Sequence, residues 1–459
     1  MLDRPAAADR TRTRTQSVRD RTGKLIEKAR EAVPEGTFAV GAGLVVAALT
    51  TYVFLIVANA GLDKAQYAAF GAFWGFIFVI GPGLFLPLEQ EVGRALAHRR
   101  AQGLGGGPLV VRAARLGALL TAVMVVIALV TAPLYVDSQF HGNWLLAASL
   151  PVGLIGFFVM HTARGTLSGN AAFRPYGEIL AIDGILKLAS ALVLLAIGVN
   201  DAGAYGMALA LTPLVAVAIA LRNQRGLLTP GPPAPYAELS QAIGWLLAGS
   251  LLMQALGYSS LLGVNILKTS ADTAAVAAFT SAFFVARIPP LLFQAVQGTL
   301  LPKLANLAGA GRHDDFRTGF RQLMAIVLGI AVLGTLAAFT IGPQVGSILF
   351  KDFDISHVDL GLLAAASCTF IIALTVAQAL LALKGHREAA ISWLLGVITF
   401  VAVAAAISDL ELRVELGFLA GSAVSTVVMG LSLRRRMHDG ATAGMAGLIT
   451  AIEQEPLEI

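Results

Sequence analysis

The sequence predicts an all-α polytopic membrane protein of about twelve spans in two pseudo-symmetric six-helix lobes, and three observations carry that prediction. Hydrophobic residues make up 56% of the 459 and charged residues only 13%, with a mean hydropathy of +0.75, far from the balance of a water-soluble domain. Twelve apolar stretches of the ~20 residues that cross a ~30 Å hydrocarbon core as a helix divide the chain. Lys and Arg fall almost entirely on alternate connections between them. The stretches lie at 38–60, 67–88, 116–136, 143–163, 177–198, 204–221, 241–267, 273–298, 322–342, 358–383, 388–408 and 414–433. Runs such as GAGLVVAALTTYVFLIVANA lack the alternating polarity of a transmembrane β-strand, so all twelve read as helices.

Taken in order, residues 1–36 form a basic tail whose Arg- and Thr-rich start lacks the apolar core of a secretion signal. Val18, Leu25, Ile26, Ala29 and Val33 recur near helical spacing among Arg19, Arg21, Lys24, Lys28 and Arg30, which fits a basic in-plane helix and a disordered tail equally. The first span, 38–60, carries no charge. Pro82 and Pro87 mark the inner end of the second as a Pro-broken helix end; Glu89 and Glu91 follow, with Arg94 three residues after Glu91. Interfacial salt bridging is the default for these carboxylates, and gating, with contacts made in only one of two states, is the alternative. The run GLGGG at 103–107 lacks the flanking strand of a phosphate cradle and reads as a connection.

The fifth span holds Glu178, Asp183 and Lys187. The i, i+4 spacing lets Asp183 and Lys187 neutralise each other; Lys187 as a phosphate contact, or Asp183 as a proton or Na⁺ coupling site, are the functional readings. After the sixth span, Arg222 to Tyr236 contains Pro230, Pro232, Pro233 and Pro235 and reads as a stiff extended linker. In the seventh, Gln254, Tyr258, Ser259 and Asn265 recur near helical spacing, as a sugar-facing stripe or as interhelical hydrogen-bonding groups. Arg287 lies near the middle of the eighth, where Arg carries an insertion penalty of roughly 2.5 to 3.5 kcal/mol. Pro289 and Pro290 follow at once, so the helix must kink and free carbonyls there. With no acid within a turn of it, Arg287 reads as a cationic anchor in a central cavity; a buried ion pair with another helix is the structural alternative.

A shift of 209 residues relates the two halves: Asp63, Ala65, Ala68, Ala69 and Phe70 fall on Asp272, Ala274, Ala277, Ala278 and Phe279, and Arg94 falls on Lys303. Because each copy has an even number of spans, both enter the membrane from the same side. The chain thus divides into a basic tail (1–36), a first lobe (37–221), a Pro-rich linker (222–238), a second lobe (239–433) and a C-terminal tail (434–459). Of the 33 Lys and Arg, 27 lie before the first span, in the even-numbered connections or in the C-terminal tail; Lys64, Lys268, Lys351 and Arg413 alone occupy the odd-numbered ones. The positive-inside rule then places both termini in the cytoplasm, in a multi-pass protein of the cytoplasmic (inner) membrane.

Several classes drop out. The formal charge of +5 reflects loops facing anionic lipid, so nucleic acid is not an expected partner. The single cysteine, Cys368, lies inside a span, excluding a disulfide framework or a Cys-based metal site. His98, His141, His313, His357 and His386 sit in loops or at span ends, His161 and His438 add no cluster, and no metal site or cofactor is expected. No GxxxxGK[ST] loop occurs, and no outer connection is much longer than Pro343 to His357, which argues against a membrane-embedded transferase.

The segment ADTAAVAAFTSAFFVARIPPLLFQAVQGTLLPKLANLAGAG resembles the seventh-to-eighth-span region of polysaccharide flippases in the multidrug/oligosaccharidyl-lipid/polysaccharide exporter (MOP) superfamily, and LDKAQYAAFGAFWGF resembles the matching element of their first lobe. The resemblance extends over about residues 38 to 433. It implies a MATE-like fold: two six-helix bundles around a cavity lined by spans one, two, seven and eight, opening alternately to each side. Its implied substrate is a lipid-linked (polyprenyl-diphosphate) saccharide, its implied partners the bilayer and polysaccharide polymerases or glycosyltransferases, and its reaction transport rather than bond chemistry. In related lipid II flippases an arginine in a similar ARIPP-like context meets the diphosphate, and Arg287 matches it; the cationic cluster those flippases carry near the first span is absent here. The acid-free first span likewise departs from the cation-coupled multidrug exporters, for which Asp183 is the remaining candidate. A non-transporting scaffold or regulator that kept the fold is the third reading. On this reading Arg287, Lys187, Gln254, Tyr258 and Asn265 contact substrate, Asp183, Glu89 and Glu91 couple or gate, and Pro82, Pro289 and Pro290 act as hinges.

Overall fold

The computed structural model describes residues 37–235, 238–239, 243–269, 272–290 and 312–454. The basic tail, Lys303, the far part of the eighth span and residues 455–459 lie outside the described residues. Among the described residues the chain is entirely helical, with no strand. The helices are α1 (Thr37–Gly61), α2 (Lys64–Ala101), α3 (Gly107–Phe140), α4 (Trp144–Gly169), α5 (Phe173–Ala196), α6 (Ala202–Leu221), α7 (Ile243–Gly257), α8 (Ser259–Leu267), α9 (Thr273–Val285), α10 (His313–Thr340), α11 (Gly342–Leu349), α12 (His357–Ala382), α13 (His386–Ala406) and α14 (Leu410–Gln454). Among the described residues eleven spans are long and apolar enough to cross a bilayer, and α7 with α8, bent by 60° at one break, makes twelve when taken as one span.

The short turns at the Lys/Arg-poor end are set by side-chain caps. Asp63, Asn143, Asp201 and Ser356 each accept a hydrogen bond from an amide in the first turn of the helix that follows, and Asp409 does so from Leu412 N. These caps satisfy amides that a helix start leaves without partners.

The two halves repeat one packing scheme. In the first, α1 packs on α5, α2 and α3 on α4, and α6 on both α4 and α5; in the second, α7 packs on α13, α9 and α10 on α12, and α14 on both α12 and α13. Small residues permit the tightest contacts. A Cβ on Gly43 would lie 2.4 Å from the Gly177 carbonyl, and one on Gly184 would lie 2.9 Å from Ala47 Cα, so α1 and α5 touch backbone to backbone as small-residue membrane interfaces allow.

Three expectations change. The second span is not broken at its inner end: α2 runs unbroken through Pro82 and Pro87 to Ala101, and Gln254 of α7 supplies a donor to the carbonyl that Pro82 frees. Arg164, counted with a connection, lies inside α4 with a side chain only 12% exposed. The described part of the linker does not stand free as an extended spacer. Arg99 gathers it in, donating to the Pro232 and Pro233 carbonyls at 3.0 and 3.1 Å and to the Glu238 carboxylate at 2.6 Å, while Ala234 and Leu239 pack against Leu88, Val92, Leu96 and Leu109.

The hydrogen bond from Arg99 holds the Glu238 carboxyl below its ordinary range. A carboxyl favoured as its anion in the folded state adds stability above the unfolded-state value and loses it as pH falls through its own. Arg99→Ala should therefore lower the unfolding midpoint of the purified protein, by roughly 1 to 3 kcal/mol at neutral pH. The gap between wild type and variant should narrow as the buffer is acidified through the carboxylate range.

Candidate functional site

Helix α2 is the spine of the seam between the halves, lying against α7, α8 and α9. Glycines set its closeness: a Cβ on Gly71 would meet Thr280 at 2.7 Å, one on Gly75 would meet Leu262 at 2.6 Å and one on Gly83 would meet Leu251 at 3.0 Å. Aromatic rings fill the middle. Trp74 stacks on Phe78 at 4.3 Å and meets the edge of Phe284 at 5.4 Å, and Phe78 stacks on Tyr258 at 6.1 Å.

Proline chemistry explains one polar contact here. Pro82 has no N–H, so the carbonyl four residues earlier, that of Phe78, loses its helical donor. Gln254 of α7 crosses the seam and donates its side-chain amide to that oxygen at 2.9 Å. A second freed carbonyl lies on the other side. Between α7 and α8 the helix breaks at Tyr258, and the guanidinium of Arg287 donates to the carbonyl of Gly257.

Arg287 follows α9 at a turn formed by Ala286 and Arg287, where the helix was expected to kink; Ile288, Pro289 and Pro290 then make a short helical turn. Its guanidinium carbon lies 4.7 Å from the ring centres of both Tyr258 and Phe283 and 5.8 Å from that of Phe370. Among the described residues no carboxylate pairs with it; the ionisable groups facing it are the phenols of Tyr258 and Tyr52. Tyr52 reaches in from α1, its hydroxyl 3.5 Å from the Phe284 carbonyl. Arg287 Nε is buried without a partner. A cation boxed by ring faces, with one nitrogen on a carbonyl and another open, can accept an anion.

Sequence-predicted residues outside this group lie elsewhere. Lys187 bonds to Asp183, which also accepts from Thr212 at 2.9 Å, all within the first half. Asn265 is fully buried in α8, its amide on the Leu261 carbonyl and its oxygen without a partner. Glu91 pairs with Arg94, which reaches the Glu238 carbonyl at 2.9 Å.

Glu89 belongs to a network that sequence reasoning missed. His161 lies 2.6 Å from its carboxylate, Tyr176 donates to it at 2.8 Å and Arg164 lies at 3.1 Å. The three partners come from α4 and α5 at separations of 72 to 87 residues from Glu89, so no local pattern announces them. The presence of both His161 and Arg164 in one apolar helix was the available signal. At the Lys/Arg-poor end of the seam a small, partly open pocket is lined by Asn59, Asp63, Tyr67, Ala278 and Lys351, and Asn59 accepts from the Lys351 amide at 2.6 Å.

The chain aligns over 88% of its length, at TM-score 0.66 and 17% identity, with 99% of an inward-facing multidrug resistance MATE family transporter of the MOP superfamily. It aligns equally well, at TM-score 0.66, with an outward-facing conformation, covering 89% of this chain and 95% of that one. The fold is that of the MATE transporters. No protein-family model matches the chain. In sequence it is 27% identical over 438 residues to the uncharacterized protein Rv1510 of Mycobacterium tuberculosis, covering 91% of this chain and 97% of that protein. It is 26% identical over 420 residues to the uncharacterized protein Mb3654 of Mycobacterium bovis. The eleven or twelve candidate spans among the described residues make this a multi-pass membrane protein, and the seam along α2 joins its two halves.

Gln254→Leu leaves the Phe78 carbonyl unpaired in the membrane and should lower the unfolding midpoint by roughly 1 to 2 kcal/mol. Adding Pro82→Ala restores an in-helix donor to that carbonyl, so the double variant should recover most of the loss. Strict additivity in the thermal-unfolding cycle would show that Gln254 does not serve this carbonyl.

Proposed function

We propose that this protein is an alternating-access flippase that moves a lipid-linked (polyprenyl-diphosphate) oligosaccharide or polysaccharide precursor across the cytoplasmic membrane, with both termini in the cytoplasm. The observation that carries the reading is Arg287: a half-buried cation beside the seam, without a carboxylate partner among the described residues, with its buried Nε unpaired and ring faces around it. A diphosphate leaving water needs charged donors, and a planar guanidinium can grip two of its oxygens while remaining on the Gly257 carbonyl. The Tyr52 and Tyr258 hydroxyls lie beside Arg287, the Gln254 amide reaches across the seam to the Phe78 carbonyl, and Trp74 and Phe78, stacked on each other in this state, would part to offer their faces to a sugar ring. The polyprenyl tail stays in the bilayer and no bond is made or broken.

In this cycle residues 37–221 and 239–433 act as two bodies, with the linker fastened to the first by Arg99. Asn265 and Lys187 are further substrate contacts on this reading, Lys187 becoming available if its pair with Asp183 opens. Pro82, Pro289 and Pro290 are hinges, and Asp183, Glu89 and Glu91 are candidates for coupling or gating. The bilayer supplies the substrate, and polymerases or glycosyltransferases acting on the same lipid-linked sugar are the fitting protein partners.

A second reading, a cation-coupled multidrug exporter, is favoured by the multidrug MATE transporters that share the fold and by the aromatic lining of the seam. Depletion separates the two. The flippase reading expects lipid-linked sugar to accumulate on the cytoplasmic leaflet without sensitivity to cationic dyes; the exporter reading expects the reverse, and a non-transporting scaffold neither. Arg287→Lys keeps the charge but loses the bidentate fork, and leaflet transfer should fall roughly tenfold, about 1.4 kcal/mol, at unchanged protein level. Full transfer by Arg287→Ala would remove the anchor.

A further inference from the structure

Among the described residues of the second half, Glu415 is another charge-bearing group that no counter-charge meets. It lies in α14, fully buried, and both carboxyl oxygens lack a hydrogen-bond partner. The ionisable groups that face it are all acids: Asp409 and Glu411 on its own helix and Asp359 on α12. Among the described residues, neighbouring elements offer it no compensating cation: Lys268, the first residue past α8, has its amine buried without a partner but is not among the groups that face Glu415. Helices α7 and α8 carry no charged residue from Ile243 to Leu267, and those of α13 (His386, Arg387, Glu388) and of α10 lie at the opposite ends of their helices. Arg413, two residues away on the same helix, is engaged with the Leu267 carbonyl at 3.0 Å.

Parallel packing locates a companion. Helices α12 and α14 both begin at the Lys/Arg-poor end, and Phe370 of α12 meets Phe418 of α14 at a ring distance of 5.8 Å. Three residues earlier on each helix stand Ser367 and Glu415, so the two are level, on the faces that those rings bring together. Ser367 Oγ is buried without a partner, and so is Ser422 Oγ, seven residues past Glu415 on the same face. Toward the surface, Glu411 lies one turn from Glu415 and is partly exposed, and Asp409 is exposed. An unpaired carboxylate in such surroundings is too costly to persist, whereas the neutral acid can donate to a hydroxyl.

We propose that Glu415 is a proton-exchange site, loaded from the Lys/Arg-poor face through Glu411, that couples proton movement to rearrangement of the second half. On release the Oε–H bond of Glu415 breaks, the proton passes to the Glu411 carboxylate, and from there to water; reloading reverses the path. Its use as a coupling ion rests on the transport reading above, but its occupancy does not.

Infrared difference spectroscopy on the full chain in lipid nanodiscs without substrate tests occupancy directly. At neutral pH the wild type should show a carboxylic acid C=O band that is lost in Glu415→Gln and kept in Glu411→Gln, where its decay after an alkaline jump should slow severalfold. Glu415→Gln is nearly isosteric, and an unchanged unfolding midpoint establishes that it folds. A wild-type spectrum without a Glu415-dependent acid band at neutral pH would overturn the proposal, as would a band that appears only when Na⁺ is replaced by choline, which would make the site one for a metal cation. In vesicles, leaflet transfer by Glu415→Gln should continue but cease to respond to an imposed pH gradient. Failure of the band leaves the leaflet assay untouched, and absence of transfer leaves the band untouched.

Discussion

A backbone carbonyl inside a dry hydrocarbon slab must find a donor within the protein. Two breaks in helical bonding, at Pro82 and at Gly257–Tyr258, free such carbonyls on facing sides of the seam, and the chain answers with Gln254 from across it and Arg287 from the adjoining helix. Both answers use side chains from α7 or from the turn after α9, so the elements that line the seam are also those that hold it in this arrangement. Any movement of the halves that separates Gln254 from Phe78 must exchange that bond for another partner. A polar substrate or water entering the seam can provide one.

The two halves handle buried charge differently despite their common packing scheme. In the first, Glu89 is surrounded by His161, Arg164 and Tyr176, and Asp183 by Lys187 and Thr212, so each charge has its counter-charge and its hydrogen bonds. Such pairing and hydrogen bonding offset the desolvation penalty of buried ions. In the second, Arg287 has rings and a carbonyl, and Glu415 has no hydrogen-bond partner at all. The buried carboxylates Glu89 and Asp183 find their counter-charges within the first half, and the second holds the groups that gain most from something arriving.

Much of the architecture was legible in sequence because membrane crossing is a one-dimensional constraint. Length and apolarity located the spans, the 209-residue shift anticipated the repeated packing of α4 on α6 and α12 on α14, and Pro289 and Pro290 after Arg287 foretold the interruption just past α9. What failed depended on three-dimensional partners. Pro82 read as a break, but the decision lay with a glutamine 172 positions later; Arg164 read as a loop residue because nothing nearby announces that Glu89 and Tyr176 will surround it. Glu415 escaped notice because it stands at the margin of an apolar stretch, where a carboxylate is ordinarily solvated; only the packing of α12 and α8 against α14 encloses it.

In the proposed cycle the halves rearrange about the seam along α2 while each keeps its own packing. Spin labels at Leu44 of α1 and Trp245 of α7, each 45% exposed, report the separation of the halves at the Lys/Arg-rich end by pulsed electron paramagnetic resonance. Two distance populations, with their ratio shifted by a polyprenyl-diphosphate sugar, are the predicted result. A single distance, unmoved by that ligand, would contradict the account.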